Sequence, residues 1–486
     1  MPPKKHLKLP KFSKQPKQLK QQEAMPQTSE DYLEEAISKE EYADRWLLSD
    51  VAKSLRAYQE SFDYYSRSIA LSNGGSSDHV YNRLRLLFHV YETYKDVPKS
   101  MLTGCDGCTV HLTGLQGVMR EYQAAGWVNW ECAYNQVLLN MEAMEQEGVM
   151  AEQVVGLLNG SIALINSILK VQLLELDSFL QRLEAGESET PTETQGEGDM
   201  YEQIVPSTVL DTLITAWRMV FTAMQSCDTL EELRLVAGES QVFLGQLDDG
   251  LTLLERFAPG NDDPFQLNIK QGELDELSLV KSCIYGIQTV ELAPLVNLWE
   301  SMALITSSKW LAQADSFITL LSFVQFSEED QWTVISHALK ALKLAQDTLT
   351  SELNEEKSAK GARVSALVGK IVEVLISRAD NELLRASLTC DAAVQHRDTL
   401  KSNAINLLKS GLNYSQSNVG LREPVLDKIQ RNKLKRECVV RLLILTKDVL
   451  SVEDLVRNLG MEFWESEWTE MRSHPLYSKF PIVSTV

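Results

Sequence analysis

The stretch that decides the fold reads Tyr58-Gln-Glu-Ser61-Phe-Asp-Tyr-Tyr65-Ser-Arg-Ser68-Ile69-Ala-Leu71. Its aromatic, small and aliphatic residues recur mostly at steps of three and four, which places them on one face of an α-helix. The residues of this face are Tyr58, Ser61, Tyr65, Ser68, Ile69 and Leu71. We expect the face to be buried, because the serines let a neighbouring helix approach closely and the tyrosines fill the space on either side.

A breaker over residues 72–77 follows, and then a second amphipathic stretch that contains Tyr81-Asn82. This succession resembles tetratricopeptide (TPR) repeats, in which an aromatic and small-residue helix ends one repeat and a helix carrying Tyr-Asn opens the next. The resemblance implies an all-α fold, a right-handed superhelical stack of antiparallel helix pairs (a TPR-like α-solenoid). A second Tyr-Asn pair occurs at Tyr134-Asn135.

The remaining chain also reads as helix, since alternating Val, Ile and Thr patterns with Asn-Gly turns are not found. We therefore divide it into four segments. They are a disordered basic tail over residues 1–30, TPR-like helical repeats over 31–183, an acidic flexible insert over 184–200, and divergent helical repeats with C-terminal helices over 201–486. The insert is rich in Glu, Gly and Thr, a composition typical of flexible linkers.

Composition indicates a soluble protein of a reducing compartment. The chain has 486 residues, of which 44% are hydrophobic and 24% are charged. Its seven cysteines are scattered and odd in number, which favours free thiols. The most apolar stretch, residues 154–176, contains Asn159, Asn166 and Lys170, so we interpret it as a core helix and not a membrane span. We expect a protein of the cytoplasm, the nucleus or both.

Charge is distributed unevenly along the chain. Residues 1–22 contain seven lysines and no acidic residue, whereas the whole chain carries a net charge of −21. Six tail lysines recur at every third residue, the period of polyproline II, and could form one ridge. They are Lys5, Lys8, Lys11, Lys14, Lys17 and Lys20. Such a ridge suits an import receptor, RNA phosphates, the acidic body of the same protein or a merely solubilising role.

Catalytic motifs are not found, since the sequence lacks GxxxxGK[ST], GxGxxG, GxSxG and HExxH. We expect no enzyme activity and no cofactor. Cys105, Cys108 and His111 are weak metal-ligand candidates, because a structural zinc needs four ligands and only the distant Cys132 is left. A redox pair or an ordinary loop is the alternative.

Several other polar residues have structural interpretations. Asp315 and Asp380 are candidates for buried carboxylates that pair with an Arg of a neighbouring helix. His79, His337 and His396 lie within helical patterns and are interpreted as surface or capping residues.

The TPR resemblance implies a partner-binding groove. In peptide-binding TPR domains an Asn at the place of Asn82 and Asn135 faces the groove and holds the ligand backbone. Arg83 and Arg85 flank Asn82. They do not have the spacing of the family's carboxylate clamp, so a chaperone-tail function does not follow. We take Asn82, Arg85 and Asn135 as the candidate partner-binding residues.

Two functions are consistent with these features. The first is a non-enzymatic protein-binding scaffold, in its sharper form an acidic chaperone or adaptor for a basic client such as a ribosomal protein or histone, because an acidic surface attracts basic partners. The second is an RNA-linked factor in RNA processing or translation. It would use the tail and a basic patch that comprises Lys428, Arg431, Lys433, Lys435 and Arg436.

Overall fold

The computed structural model describes most of the chain. The described residues are 26–72, 77–95, 97–98, 102, 105–124, 130–146, 148–185, 204–261, 267–359, 361, 363–420, 423–447, 450–478 and 482–483. The basic tail lysines and most of the acidic insert lie outside them. Within this part of the chain the fold is all-α apart from one two-residue strand pair, so the prediction of an all-α protein is confirmed.

Six helices of the described residues precede the insert. They are α1 (Ser29–Leu47), α2 (Val51–Leu71), α3 (Ser77–Tyr94), α4 (Leu112–Ala124), α5 (Trp130–Met144) and α6 (Ala151–Glu184). Local sequence signals determine where α1 and α2 begin. Thr28 and Asp31 form a capping box at α1, and the Asp50 carboxylate accepts the Lys53 amide at the start of α2. The N-cap of α1 is thus Thr28.

Eleven helices follow in the described residues after the insert. The first six are α7 (Pro206–Gln225), α8 (Leu230–Thr252), α9 (Gln271–Gln288), α10 (Leu292–Ser301), α11 (Ser307–Phe323) and α12 (Glu328–Ala359). The others are α13 (Val364–Ser387), α14 (Asp391–Ser415), α15 (Val425–Thr446), α16 (Val452–Leu459) and α17 (Trp464–Ser473). Strands β1 (Leu450–Ser451) and β2 (Ile482–Val483) pair in parallel.

The face that opened the sequence analysis packs against α1. Three buried α2 serines, seven residues apart, donate to α1 carbonyls that are also seven residues apart, so the two helices run antiparallel in close contact. The donor and acceptor pairs are Ser54 with Ala43 (3.0 Å), Ser61 with Ala36 (2.8 Å) and Ser68 with Ser29 (2.6 Å). Small residues on both helices make this approach possible. The expected burial holds for Tyr58, Ser61, Tyr65 and Ser68, whereas Ile69 is half-buried and Leu71 is 49% exposed. The prediction for Leu71 is wrong because it lies in the last turn of α2, beyond the end of the α1 contact.

The largest hydrophobic core lies in the middle of the chain. It runs from Val137 on α5 to Ile287 on α9, with the fully buried indole of Trp217 on α7 inside it. Helices on both sides of the acidic insert contribute to it, so the insert interrupts the sequence of one core and does not separate two cores.

Helices in extensive contact are one or two positions apart in chain order, among the residues that the structure describes. This neighbour pattern is typical of stacked helical hairpins. A contact between α15 and the α1–α2 corner departs from it. The amide of Val425 at the start of α15 donates to the Leu48 carbonyl at the α1–α2 corner (3.0 Å). Val425, Leu426 and Ile429 also pack on the α1–α2 core, which joins an early and a late part of the chain.

Candidate functional site

A cavity of about 700 Å³ lies between the C-terminal ends of α3 and α5, the start of α4 and the loop that precedes α4. Its walls are mixed, with polar residues such as Thr109, Thr113 and Gln116 beside apolar ones. The apolar ones include Val90, Val97, Leu102, Val110, Leu112 and Val149. A concave surface of this size with apolar walls on part of it can accept a side chain of a partner.

Charged groups stand at the edge of this cavity. Lys95 forms an ion pair with Glu142, and the Tyr91 hydroxyl donates to the same carboxylate at 3.3 Å. Partial burial and then the neighbouring Glu142 raise the pKa of Glu145. Asp106 is an exposed lining residue. The edge therefore has more carboxylates than its single lysine balances, and a cation placed there would relieve their repulsion.

The loop beside the cavity is held by α2. The side-chain carbonyl of Gln59 accepts the amides of Gly107 (2.9 Å) and Cys108 (3.0 Å). A Cβ on Gly107 would lie 2.5 Å from Gln59 Nε2 and 3.0 Å from the Phe62 ring. Glycine is needed at this position because the loop approaches α2 so closely.

The structure places Cys105 and Cys108 in the core under this loop. Both are buried free thiols, while His111 is exposed and lines the cavity. Burial raises the pKa of Cys105, and burial followed by the charge of Cys105 raises that of Cys108 to about 12. Thiolates are thus disfavoured, and no group of three or more metal-ligating residues occurs among the described residues. The pair does not fit a zinc site.

Arg85 pairs with a carboxylate inside the fold. Its guanidinium forms an ion pair with the buried Glu40 at 2.8 Å, and Glu40 also accepts the hydroxyl of the buried Tyr65 at 2.9 Å. Asn82 and Asn135 are half-buried on α3 and α5, and neither side chain bonds to another described residue. Their partner-binding role stays a prediction.

His79, which the sequence analysis interpreted as a surface or capping residue, is buried. Its Nδ1 lies 2.9 Å from Ser68 Oγ and 3.2 Å from Ser29 Oγ, so three helices meet at this ring. The prediction was wrong because His79 occupies the end of the α1–α2 seam. The seven-residue repeat of serines that ends at Ser68 is the signal that points there. His337 is half-buried and His396 is exposed.

Two of the five residues in the predicted basic patch are neutralised within the fold. Arg431 donates from Nε and Nη2 to the two oxygens of Glu423, at 2.8 and 2.7 Å. Arg436 donates from Nε to Glu467 at 2.6 Å. An Arg with a carboxylate partner has less attraction for phosphate, so the patch offers nucleic acid less positive charge than its sequence suggests.

Asp380 does pair with an Arg of another helix, as predicted. Arg441 on α15 donates from Nη2 to its Oδ2 at 3.3 Å, and the Tyr477 hydroxyl donates to its Oδ1 at 2.5 Å. Asp315 forms no ion pair with an Arg among the described residues, so the corresponding prediction is wrong. Its surface is exposed, although partial burial of the carboxyl raises its pKa. The Asp380 cluster joins α13, α15 and the residues after α17.

Helix α6 is the one helix of the described residues that is long and apolar enough to cross a membrane. Helices in the cores of soluble proteins meet the same criterion. Here Val154, Leu158 and Ile165 pack into the central core, but only 28% of the most apolar 18-residue window is buried. The interpretation as a core helix therefore holds for one face of α6.

Comparisons with known proteins find a family model that matches part of the chain and a distant relative. Residues 305–481, which include α11 to α17, match the family model of the YNL193W C-terminal domain. The chain is 21% identical over 520 residues to "Uncharacterized protein YNL193W" of Saccharomyces cerevisiae, covering 90% of this chain and 92% of the yeast protein. No solved structure matches the chain.

Proposed function

We propose that this protein is a non-enzymatic binding scaffold whose client is a basic protein, in the cytoplasm or the nucleus. In this proposal the helical hairpins form the right-handed, TPR-like superhelical stack expected from the sequence. A chaperone or adaptor for ribosomal proteins or histones is its most specific form. The observation that carries the proposal is the partly apolar cavity with carboxylates at its edge.

The composition of this cavity favours an apolar side chain next to a cation. Val90, Val110 and Val149 offer apolar walls, and transfer of a buried aliphatic side chain from water contributes about 1.5–3 kcal/mol. Asp106 lines the cavity, and Glu145 follows the end of α5, within electrostatic reach of Lys95 and Glu142. Neither forms an ion pair among the described residues. A Lys or Arg of the client would reduce the carboxylate repulsion there, and the net charge of −21 would speed its approach.

The test uses purified full-length protein and two labelled peptides, one with a Leu between Lys residues and one with the same Leu between Glu residues. Fluorescence anisotropy should show tighter binding of the basic peptide. Val110→Arg should weaken that binding at least tenfold, because it fills the cavity with a cation. Asp106→Asn should weaken it by a smaller factor, and the difference should shrink as salt screens the charges.

Asp398→Asn is the matched control, since Asp398 is an exposed acidic residue on α14, outside the cavity lining. It should leave the affinity unchanged. Equal binding of both peptides, or no effect of Val110→Arg in a protein with unchanged circular dichroism, would contradict the proposal. Salt-dependent binding of RNA with no binding of the basic peptide would favour the RNA-linked function instead.

A further inference from the structure

Helix α8 has an apolar surface that the fold does not cover. Leu233, Val236, Ser240, Phe243 and Leu247 face the core, where α8 meets α6, α7 and α9. On the opposite side Leu235, Val242 and Leu253 are 47%, 74% and 56% exposed. At 3.6 residues per turn these three side chains lie almost in one line along the helix.

Two glycines border this line. Gly238 and Gly245 are exposed, and a Cβ on either would meet no atom within 4 Å. Glycine inside a helix costs about 0.5–1 kcal/mol relative to alanine, and the packing of the described residues does not require it at these positions. Glycines do allow a second helix to approach closely, because they leave shallow notches in the surface. We call Leu235, Gly238, Val242, Gly245 and Leu253 the outer α8 stripe.

Most of the charges beside the outer α8 stripe are negative. Glu231, Glu239 and Asp249 are exposed on the same side of α8, and Arg234 lies at the edge of that side. A second copy of the chain that used the same surface would bring these carboxylates together, which is unfavourable. A partner with positive charges beside its apolar residues would meet complementary charge along the whole stripe.

The surface continues at the N-terminal end of α8. Glu231 and Asp228 there line a groove of about 710 Å³, whose other side is formed by the end of α11, the first half of α12 and the residues between them. That side has apolar residues, which include Val324, Phe326 and Ile335, beside polar ones such as Gln325 and Gln331. The groove extends the acidic and apolar character of the stripe beyond the first turn of the helix.

We propose that the outer α8 stripe binds an amphipathic helix of a partner protein, with its apolar residues flanked by Lys or Arg. The helix would lay its apolar face along Leu235, Val242 and Leu253, approach closely at the two glycines, and place its cations near Glu239 and Asp249. This is a helix-on-helix mode of recognition. It uses a surface distinct from the cavity of the proposed function and does not depend on it.

The probe is a synthetic, labelled peptide of about 18 residues, long enough for five helical turns, with Leu and Ala at i, i+3, i+4 and i+7 and Lys on both flanks. A scrambled peptide of the same composition controls for non-specific attraction. Anisotropy with the full-length protein should show micromolar binding of the amphipathic peptide and at least tenfold weaker binding of the scrambled one. Equal affinity for the two, or no binding, overturns the proposal.

Gly245→Leu is the decisive variant. The space around Gly245 is open and leucine is a better helix former, so the protein should unfold at the same or a higher temperature. The affinity for the amphipathic peptide should nevertheless fall at least tenfold, because the notch is filled. Gly160→Leu on α6 is the matched control, since Gly160 is also an exposed helical glycine with open space around it. An unchanged affinity for Gly245→Leu overturns the proposal.

Two further variants test the apolar line and the charge. Val242→Lys should weaken peptide binding at least tenfold, while Val394→Lys, at a 55% exposed valine of α14, should not. Glu239→Lys with Asp249→Lys should reverse the preference toward a peptide with Glu flanks. The cavity variant Val110→Arg should leave binding of this peptide unchanged, which separates the two sites. A wild-type dimer that Val242→Lys dissociates would identify a second copy as the occupant and overturn the proposal.

Discussion

Tyr65 offers the sharpest test of how the N-terminal helices are held together. Its side chain has no exposed surface, and its hydroxyl donates to Glu40 on α1 at 2.9 Å. Arg85 on α3 contacts the same carboxylate, so one aromatic residue of α2 links the three helices. We expect Tyr65→Ala to loosen all three.

The magnitude follows from two contributions. Truncation of a fully buried aromatic side chain to alanine costs about 3–5 kcal/mol. Tyr65→Phe keeps the ring and removes only the hydroxyl, so it should cost about 1.5 kcal/mol, the lower end for a hydrogen bond to a charged group, because Arg85 still pairs with Glu40. The difference between the two variants measures the contribution of the ring.

Hydrogen exchange followed by mass spectrometry is the suitable assay, since a chain of this length need not unfold in a single step. Peptides from α1 and α2 report the free energy of local opening. A loss of 3 kcal/mol should speed their exchange more than about 100-fold in Tyr65→Ala, and Tyr65→Phe should speed it about tenfold. Peptides from α13 and α14, which lie in a separate core, should not change.

The reasoning would be refuted if Tyr65→Ala changed the exchange of α1 and α2 by less than a factor of about five, equivalent to about 1 kcal/mol. Equal effects of the alanine and phenylalanine variants would show that the hydroxyl, not the ring, dominates. The assignment of the α1–α2 contact to the three buried serines and the Tyr65 ring would then be wrong.

Three further predictions concern other parts of the chain. Gly107→Ala should lower the thermal unfolding temperature, by the equivalent of about 1–3 kcal/mol, because the added Cβ would meet the side-chain amide of Gln59 on α2. Gly117→Ala, at a position with open space around it, should not lower that temperature. Asp380→Asn should cost about 3 kcal/mol in urea unfolding because it leaves the buried Arg441 cation without its carboxylate partner from α13, and a loss below 1 kcal/mol would contradict this. Deletion of residues 186–200 should change stability by less than about 1 kcal/mol, since loop length affects folding weakly; loss of cooperative melting would show that this segment packs.

Local periodicity was sufficient to predict the α-helical class and the buried side of α2. Helical periodicity depends only on residues three and four positions apart, so Tyr58, Ser61, Tyr65 and Ser68 are recognisable as one face without any knowledge of the partner helix. The pairing of Asp380 with an Arg could also be anticipated, because a carboxylate among apolar neighbours needs a cation. The sequence likewise established the strong contrast between a basic N-terminus and an acidic remainder.

The tertiary structure alone decided which groups meet across the helices. In the folded chain Arg85 pairs with Glu40, His79 lies between two serines, and the Val425 amide bonds to Leu48. No local sequence pattern encodes contacts at these separations. The tertiary structure also left the outer α8 stripe uncovered, although its leucines and valine look like core residues in the sequence. The physical reason is that helical periodicity identifies the apolar face of a helix, whereas the burial of that face depends on whether another helix packs against it.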